Sequence, residues 1–317
     1  MKKQALLDHF TCNLNPEFRG WVGAEVETHF VDSTGRPISL SCSQEIFRGL
    51  ERFGWKVSVK KSDLITELKR DEEKILYDLG RQCIELSSRP ALTDLVYKET
   101  LGSLHELYDS AKQCGAYPFF EPIIETGDDL LVIPDKRDAS WLKLDGKKAL
   151  NLCARTASVQ FTVETMGPQH AIEILNHLAY KREWILEYNP YPQEDLWRQY
   201  IATSQAHYRE DRYGIVRPTS IKHYVEMLAM HDVVMNGRLI PFAKATQDID
   251  LFLRSVWWNF RLRRYNNRLC VEIRTLARRD DIKAHEDLSM ILNLLRPFYP
   301  EIWIQKPLFP KPYLHCC

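Results

Sequence analysis

Acidic side chains recur in this sequence at the spacing of strand faces. In Gly23-Ala-Glu-Val-Glu-Thr-His-Phe30, read as a β-strand, Glu25, Glu27 and His29 project to one side. Ala24, Val26, Thr28 and Phe30 take the other, where they can pack on a core. Carboxylates two residues apart on a pleated face stand roughly 7 Å apart, and like charges held that close repel until solvent or a cation relieves them. A solvated strand face is the plain reading of one such pair. Three further segments repeat the pattern, however. Glu85 lies between Cys83 and Ser87 while Ile84 and Leu86 face away. Gln160, Thr162 and Glu164 alternate with Val159, Phe161 and Val163, and Glu272 and Arg274 alternate with Val271 and Ile273. Four strands with one apolar and one acid, amide or guanidinium face predict a sheet whose concave side is a polar cleft.

Carboxylates and amide oxygens are hard ligands, suited to Mg²⁺ or Mn²⁺ rather than zinc. Mg²⁺ is commonly held by few carboxylates together with substrate phosphates, so such a cleft fits a nucleotide–metal complex. Arg274 could neutralise charge on a transferring phosphoryl group. The chain has no G-x-x-x-x-G-K-[ST] loop and no G-x-G-x-x-G after a strand, so neither P-loop nor Rossmann chemistry is indicated.

The elements that must position these residues follow from periodicity and turn residues. Short strands at 55–60, 64–69, 74–79 and 82–88 have no helix between them and therefore pair antiparallel. Leu95, Leu101, Leu104, Leu107 and Ala111 form the stripe of an amphipathic helix over 94–113, closed by Cys114-Gly115. Strands are expected at 22–31, 117–124, 155–165 and 268–276. Helices are expected at 44–53, at 220–233, 248–257 and 283–296, and from Gly167-Pro168 to residue 184. Residues 185–218, with Asn189-Pro-Tyr-Pro192, read as loop-rich. The whole, 1–317, reads as one α+β domain with a mainly antiparallel, curved sheet and helices on its outer face.

Composition narrows the function classes. Lys+Arg and Asp+Glu both total 43, so a net charge of zero argues against a general nucleic-acid-binding surface. No apolar run reaches the roughly 18 residues of a spanning helix, and none near the N-terminus makes a signal peptide, so a cytoplasmic protein without membrane partners is expected. The eight cysteines include no C-x-x-C pair, and Cys316-Cys317 reads as a frayed tail.

The motifs together resemble the glutamate–cysteine ligase family, in its plant and proteobacterial branch. Gly23-Ala-Glu-Val-Glu27 is similar to that family's G-x-E-x-E, and Glu85-Leu-Ser-Ser-Arg-Pro90 to E-L-S-G-x-P. Arg155-Thr-Ala-Ser-Val-Gln160 with Phe161-Thr-Val-Glu164 is similar to R-T-x-T-V-Q-V-N-x-D. Asp211-Arg-Tyr-Gly214 resembles D-R-T-G, and Val271-Glu-Ile-Arg274 the closing E-V-R. The resemblance implies a glutamine-synthetase-like catalytic domain. Its members use ATP and Mg²⁺ to activate a carboxylate, usually the γ-carboxyl of glutamate, as an acyl phosphate, which an amine then displaces. Carried over, it makes Glu25, Glu27, Glu85, Glu272 and Gln160 metal ligands. It puts Arg274 and Arg212 at the ATP phosphates, and Arg155 and Thr162 at the substrate. Small-molecule amino acid and amine substrates follow.

The chain departs from the family where Cys83 replaces a glutamine, with Gln82 one step away, and at Thr162 and Glu164. An S-x-R-S arginine is missing, Ala202-Thr-Ser-Gln-Ala206 standing in its place. Either a β-bulge brings Gln82 back to the missing position or the ligand set differs from the family's. Two other functions fit the same residues: phosphoryl transfer of the guanidino-kinase kind, and nucleotide binding without catalysis.

Overall fold

A computed structural model of the chain describes residues 1–132, 136–205, 208–246 and 248–299. Cys316, Cys317 and Ala206 fall outside these residues. The strands are β1 (Val22–Val31), β2 (Lys56–Lys61), β3 (Leu64–Arg70), β4 (Glu73–Tyr77), β5 (Cys83–Ser87), β6 (Tyr117–Phe119), β7 (Ser158–Glu164), β8 (Tyr213–Gly214), β9 (Val233–Met235), β10 (Arg238–Ile240), β11 (Trp257–Trp258), β12 (Phe260–Tyr265) and β13 (Arg268–Ala277). The helices are α1 (Lys3–Thr11), α2 (Leu40–Gly49), α3 (Thr93–Gln113), α4 (Lys136–Asp145), α5 (Lys147–Cys153), α6 (Pro168–Tyr188), α7 (Gln193–Thr203), α8 (Ile221–Leu228), α9 (Ile249–Leu253) and α10 (Asp281–Leu295).

Nine strands form one sheet in the order β12-β13-β7-β1-β5-β4-β3-β2, with β6 also pairing with β1. Every pairing within it is antiparallel. The apolar faces predicted for β1, β5, β7 and β13 meet in one core: Val26, Leu86, Phe161 and Ile273 are buried with Leu107, Leu175 and Ile291 from α3, α6 and α10. Burying a side chain of that size contributes about 1.5–3 kcal/mol, so alternation alone commits one face of each strand to the helices.

A second apolar cluster gathers Leu150, Tyr200, Trp141 and Trp257 from α5, α7, α4 and β11. This is a departure from helices confined to the outer face, and it arises from segments that the periodicity left unread. Helix α7 lies within the stretch expected to be loop-rich. It begins just after Pro192, carries Glu194 and Asp195 in its first turn and buries Leu196 and Tyr200 one turn apart. Strand β12 lies where the sequence predicts no strand, and the helix predicted over 248–257 spans only Ile249–Leu253. Strand β6 stops at Phe119, short of the expected residue 124. Among the described residues, no helix is long and apolar enough to cross a membrane.

Candidate active site

Strand register brings the polar faces into one continuous surface. Glu25 stands opposite Ser87 on β5 and Gln160 on β7, and Glu27 opposite Glu85. Thr162 lies between Gly23 and Glu272, and Glu272 faces Arg261 on β12. A cavity of about 830 Å³ covers this surface, lined by Glu25, Glu27, Glu85, Gln160, Thr162, Glu272 and Arg274 among others. The structure thus brings together seven of the nine residues singled out in the sequence.

The hydrogen bonds divide the cavity's carboxylates into two groups. Glu27 accepts from the Ser158 N–H at 2.7 Å and the Ser158 hydroxyl at 2.9 Å, both at Oε2. Its Oε1 accepts from Gln160 Nε2 at 2.9 Å. Glu85 accepts from the Ser87 hydroxyl at 2.8 Å. No cationic side chain donates to either in these contacts. Burial, followed by the nearby Asp78 carboxylate, pushes Glu27 up to about 8 despite its Ser158 bonds. Burial and then Glu25, Glu27 and Asp78 push Glu85 well above the usual carboxylate range. Glu25 is raised by burial and by Glu272, against the pull of Arg263, Arg274 and Arg261.

Glu272 behaves oppositely. Burial opposes its charge, yet Arg261, Arg274 and Arg263 outweigh burial and hold its pKa below the ordinary value. Its Oε2 accepts from Arg261 Nε and, at 3.1 Å, from Arg274. Arg261 is fixed further by donating to the Val256 and Leu253 carbonyls at 2.8 and 3.2 Å. Arg263 is also buried in the cavity wall, and its Nε has no hydrogen-bond partner. Three guanidiniums around one bonded carboxylate leave positive charge in excess, in the geometry that suits phosphate oxygens. Glu272, expected among the metal ligands, is placed to hold arginines.

The carboxylate end fits a hard dication. Glu25, Glu27 and Glu85 are oxygen donors whose charges oppose one another, and a cation between them removes that repulsion. Gln160 Oε1 is buried and lacks a partner, as a waiting oxygen ligand would. This donor set suits Mg²⁺ or Mn²⁺.

Two predicted residues stand elsewhere. Arg155 does not line the cavity; it donates to the Ile124 carbonyl at 3.0 Å and pairs with Glu125. Arg212 is buried outside it, donating to the Asp232 carbonyl at 2.6 Å and to the Ser255 hydroxyl at 3.2 Å. Burial lowers its pKa to about 10. Both motifs are in the chain, but their arginines are occupied by backbone carbonyls. His29, expected beside Glu27, is wholly buried and donates to the Arg155 carbonyl at 3.1 Å. No bulge restores Gln82 either. The pairing from Glu25–Ser87 to His29–Cys83 is unbroken, and Gln82 donates to the Ala154 carbonyl at 2.7 Å.

Other cavity residues carried a sequence signal that went unread. Trp257, Asn259, Arg261, Arg263 and Tyr265 all line the cavity while Trp258, Phe260 and Leu262 enter the core. That alternation runs unbroken from Trp257 to Arg263. Asp78, directly after β4, also lines the cavity.

No protein-family model and no curated protein sequence matches the chain. Among solved structures, it is similar to a glutamate–cysteine ligase from Francisella tularensis in complex with AMP, at 12% identity and a TM-score of 0.54. The match covers 88% of this chain and 68% of that one. A bifunctional glutathione synthetase from Pasteurella multocida matches at 14% identity and a TM-score of 0.47, over 91% of this chain and 40% of the other. The first likeness shows the fold: the chain is built on the same α+β scaffold as that ligase.

Proposed function

We propose that the chain is an ATP- and Mg²⁺-dependent carboxylate–amine ligase, acting as a single catalytic domain on a small amino acid and an amine. One observation carries this reading. The cavity separates repelling carboxylates, with an unpartnered amide oxygen, from arginines in excess over their one bonded carboxylate. A polyphosphate with its dication matches both ends at once.

Glu25, Glu27, Glu85 and Gln160 would hold Mg²⁺ or Mn²⁺, which when bound supplies positive charge to the nucleotide's phosphates. Arg261, Arg263 and Arg274 would orient the γ-phosphoryl group and stabilise charge gathering on its oxygens in transfer. Glu272 keeps two of these guanidiniums in place. The substrate carboxylate oxygen attacks phosphorus and ADP leaves, giving an acyl phosphate. The amine nitrogen then attacks the acyl carbon, phosphate departs, and the amine's proton passes to solvent. Thr162, which lines the cavity between Gly23 and Glu272, would meet the substrate.

Phosphate release from Mg²⁺-ATP, measured against amino acids singly and in pairs with mass spectrometry of the products, tests the reading. A product equal in mass to two components less water is expected. A product heavier by one phosphoryl group would make the protein a kinase, and bound ATP without turnover across the panel would make it a nucleotide-binding protein.

A further inference from the structure

We infer that the amine joined in this cavity is an α-amino acid with an uncharged aromatic side chain. Asn259 and Thr275 hold its amine and carboxylate, and Trp141, Trp197, Tyr213 and Trp257 surround its ring. The inference rests on the ligase reading for the reaction and goes beyond it in naming the class of amine.

Two side chains of the cavity wall are buried with hydrogen bonds unmade. Asn259 lines the cavity at 2% exposure, and neither its Oδ1 nor its Nδ2 has a partner. Thr275 lines it at 2% exposure with its hydroxyl unpartnered. Buried polar groups are nearly always bonded, so each of these marks a partner still to come. The backbone fixes both. The Asn259 N–H donates to the Gly214 carbonyl at 2.8 Å, and its carbonyl accepts from the Arg274 N–H at 3.0 Å. A register shift between Ile273 and Leu276 breaks the alternation, so consecutive Arg274 and Thr275 both line the cavity. A carboxamide offers an acceptor and two donors, and so can accept from the amine and donate to the carboxylate of one α-amino acid. Position selects the amine over the nucleotide base. Asn259 lies two residues before Arg261 and beside Arg274, which would orient the γ-phosphoryl group. The amine attacks next to that group, whereas the base is at the far end of the nucleotide.

Four rings from four elements wall the same end of the cavity. Trp257 stands two residues before Asn259, and Tyr213 precedes the glycine that accepts the Asn259 N–H. Trp197 packs 4.4 Å from Trp257 and lies stacked at 5.8 Å from Tyr213, and Trp141 meets Trp257 edge-on at 5.4 Å. Rings locked on one another make a wall that is ready before the ligand arrives, and a further ring gains offset or edge contacts from it. A side chain the size of alanine or cysteine leaves most of that surface unfilled. A cationic side chain is disfavoured. The Arg209 guanidinium, which does not line the cavity, lies over Trp257 at 3.7 Å from its centroid, so this ring already has its cation. Arg261, Arg263 and Arg274 add positive charge within the cavity.

Calorimetry on the full chain, with and without Mg²⁺-ADP, measures binding of L-phenylalanine, L-tryptophan, L-alanine, L-lysine and adenosine. The two aromatic amino acids should bind at least about tenfold more tightly than alanine, the factor that burying one such side chain supplies, and lysine no better than alanine. Trp197, half-buried on α7, carries the main variant: Trp197→Ala should abolish the preference while changing alanine affinity little. Trp197→Leu is the second variant; it keeps an apolar side chain in the wall and should reduce the preference, with unchanged thermal unfolding showing that the loss is local. Asn259→Ala should instead weaken phenylalanine and alanine by the same factor. Equal affinity for phenylalanine and alanine, tighter binding of lysine, binding of none of the amino acids, or a preference that survives both Trp197 variants overturns the inference. Displacement of phenylalanine by adenosine would assign the rings to the nucleotide base and overturn it too. Phenylalanine bound but never joined to a carboxylate would sink the ligase reading and leave the ligand class standing. Ligation of alanine in preference to phenylalanine would sink this inference alone.

Discussion

Replacing Glu27 with Gln should stabilise the metal-free protein while abolishing its response to Mg²⁺. Glu27 is 6% exposed, and burial holds its pKa at about 8 against an ordinary 4.5. Between these values the folded protein keeps a proton that the unfolded chain has lost, so this group's contribution to stability falls as pH rises. The contribution is fully present below about 4.5 and gone above about 8. At about 1.4 kcal/mol per pH unit, the interval from 4.5 to about 8 corresponds to about 5 kcal/mol, of which about 3 is lost by pH 7. A carboxamide does not titrate. Its oxygen can keep both Ser158 bonds, and its NH₂ can donate to Gln160 Oε1, which has no partner now, once the Gln160 amide turns over. Urea unfolding in the presence of a chelator, at about pH 5 and about pH 8.5, reads the effect. Wild type should lose stability across this range and the variant much less, so that the variant is the more stable by several kcal/mol at the upper pH. Saturating Mg²⁺ should then stabilise wild type by mass action and leave the variant unmoved. A variant less stable than wild type at high pH, or one with the same pH slope, would refute the account of Glu27 as a buried, uncompensated carboxylate.

Glu272→Gln should do the opposite. It leaves Arg261 and Arg274 buried around a neutral group, costing about 3–5 kcal/mol in chemical denaturation and weakening ATP binding. Arg155→Ala removes the bond to the Ile124 carbonyl, worth about 1 kcal/mol, and should leave substrate KM unchanged; a raised KM would return Arg155 to the site. Trp257→Ala strips the ring over which the Arg209 guanidinium lies at 3.7 Å and opens one wall of the cavity. It should cost about 3–5 kcal/mol in thermal unfolding, and a near-neutral result would remove Trp257 from the second core.

The acidic strands were legible because alternation is a local property. Whatever they pair with, Val26, Ile84, Phe161 and Ile273 commit one face to the core and Glu25, Glu85, Gln160 and Glu272 to the other. Strand β12 obeys the same rule, but Phe260-Arg-Leu-Arg-Arg-Tyr265 reads as charged surface until its partners are known. Arg261 is buried only because Glu272, eleven residues on, pairs with it, and no local window contains that fact. Arg155 and Arg212 failed differently. Motif resemblance located their backbone positions, whereas nearby carbonyls at Ile124 and Asp232 decided where the guanidiniums went. The cluster of Trp141, Tyr200, Trp257 and Arg209 depends on contacts among α4, α7 and β11 that periodicity does not encode.

The two ends of the cavity also constrain each other through Glu25. Glu272 raises its pKa while Arg263, Arg274 and Arg261 lower it, so this carboxylate is influenced by both groups. Were the sheet face merely solvated, its charges would be screened and independent, and replacing one would leave the others unchanged. In a buried row they are not independent. Neutralising Glu25 removes a repulsion from Glu85 and an attraction from Arg263 at once. Metal affinity and nucleotide affinity should therefore change together in a Glu25→Gln variant, and a double-mutant cycle with Arg263→Gln measures the coupling directly. Additive effects on the two affinities would mean that the cavity is two separate sites, and a single nucleotide–metal complex would no longer explain it.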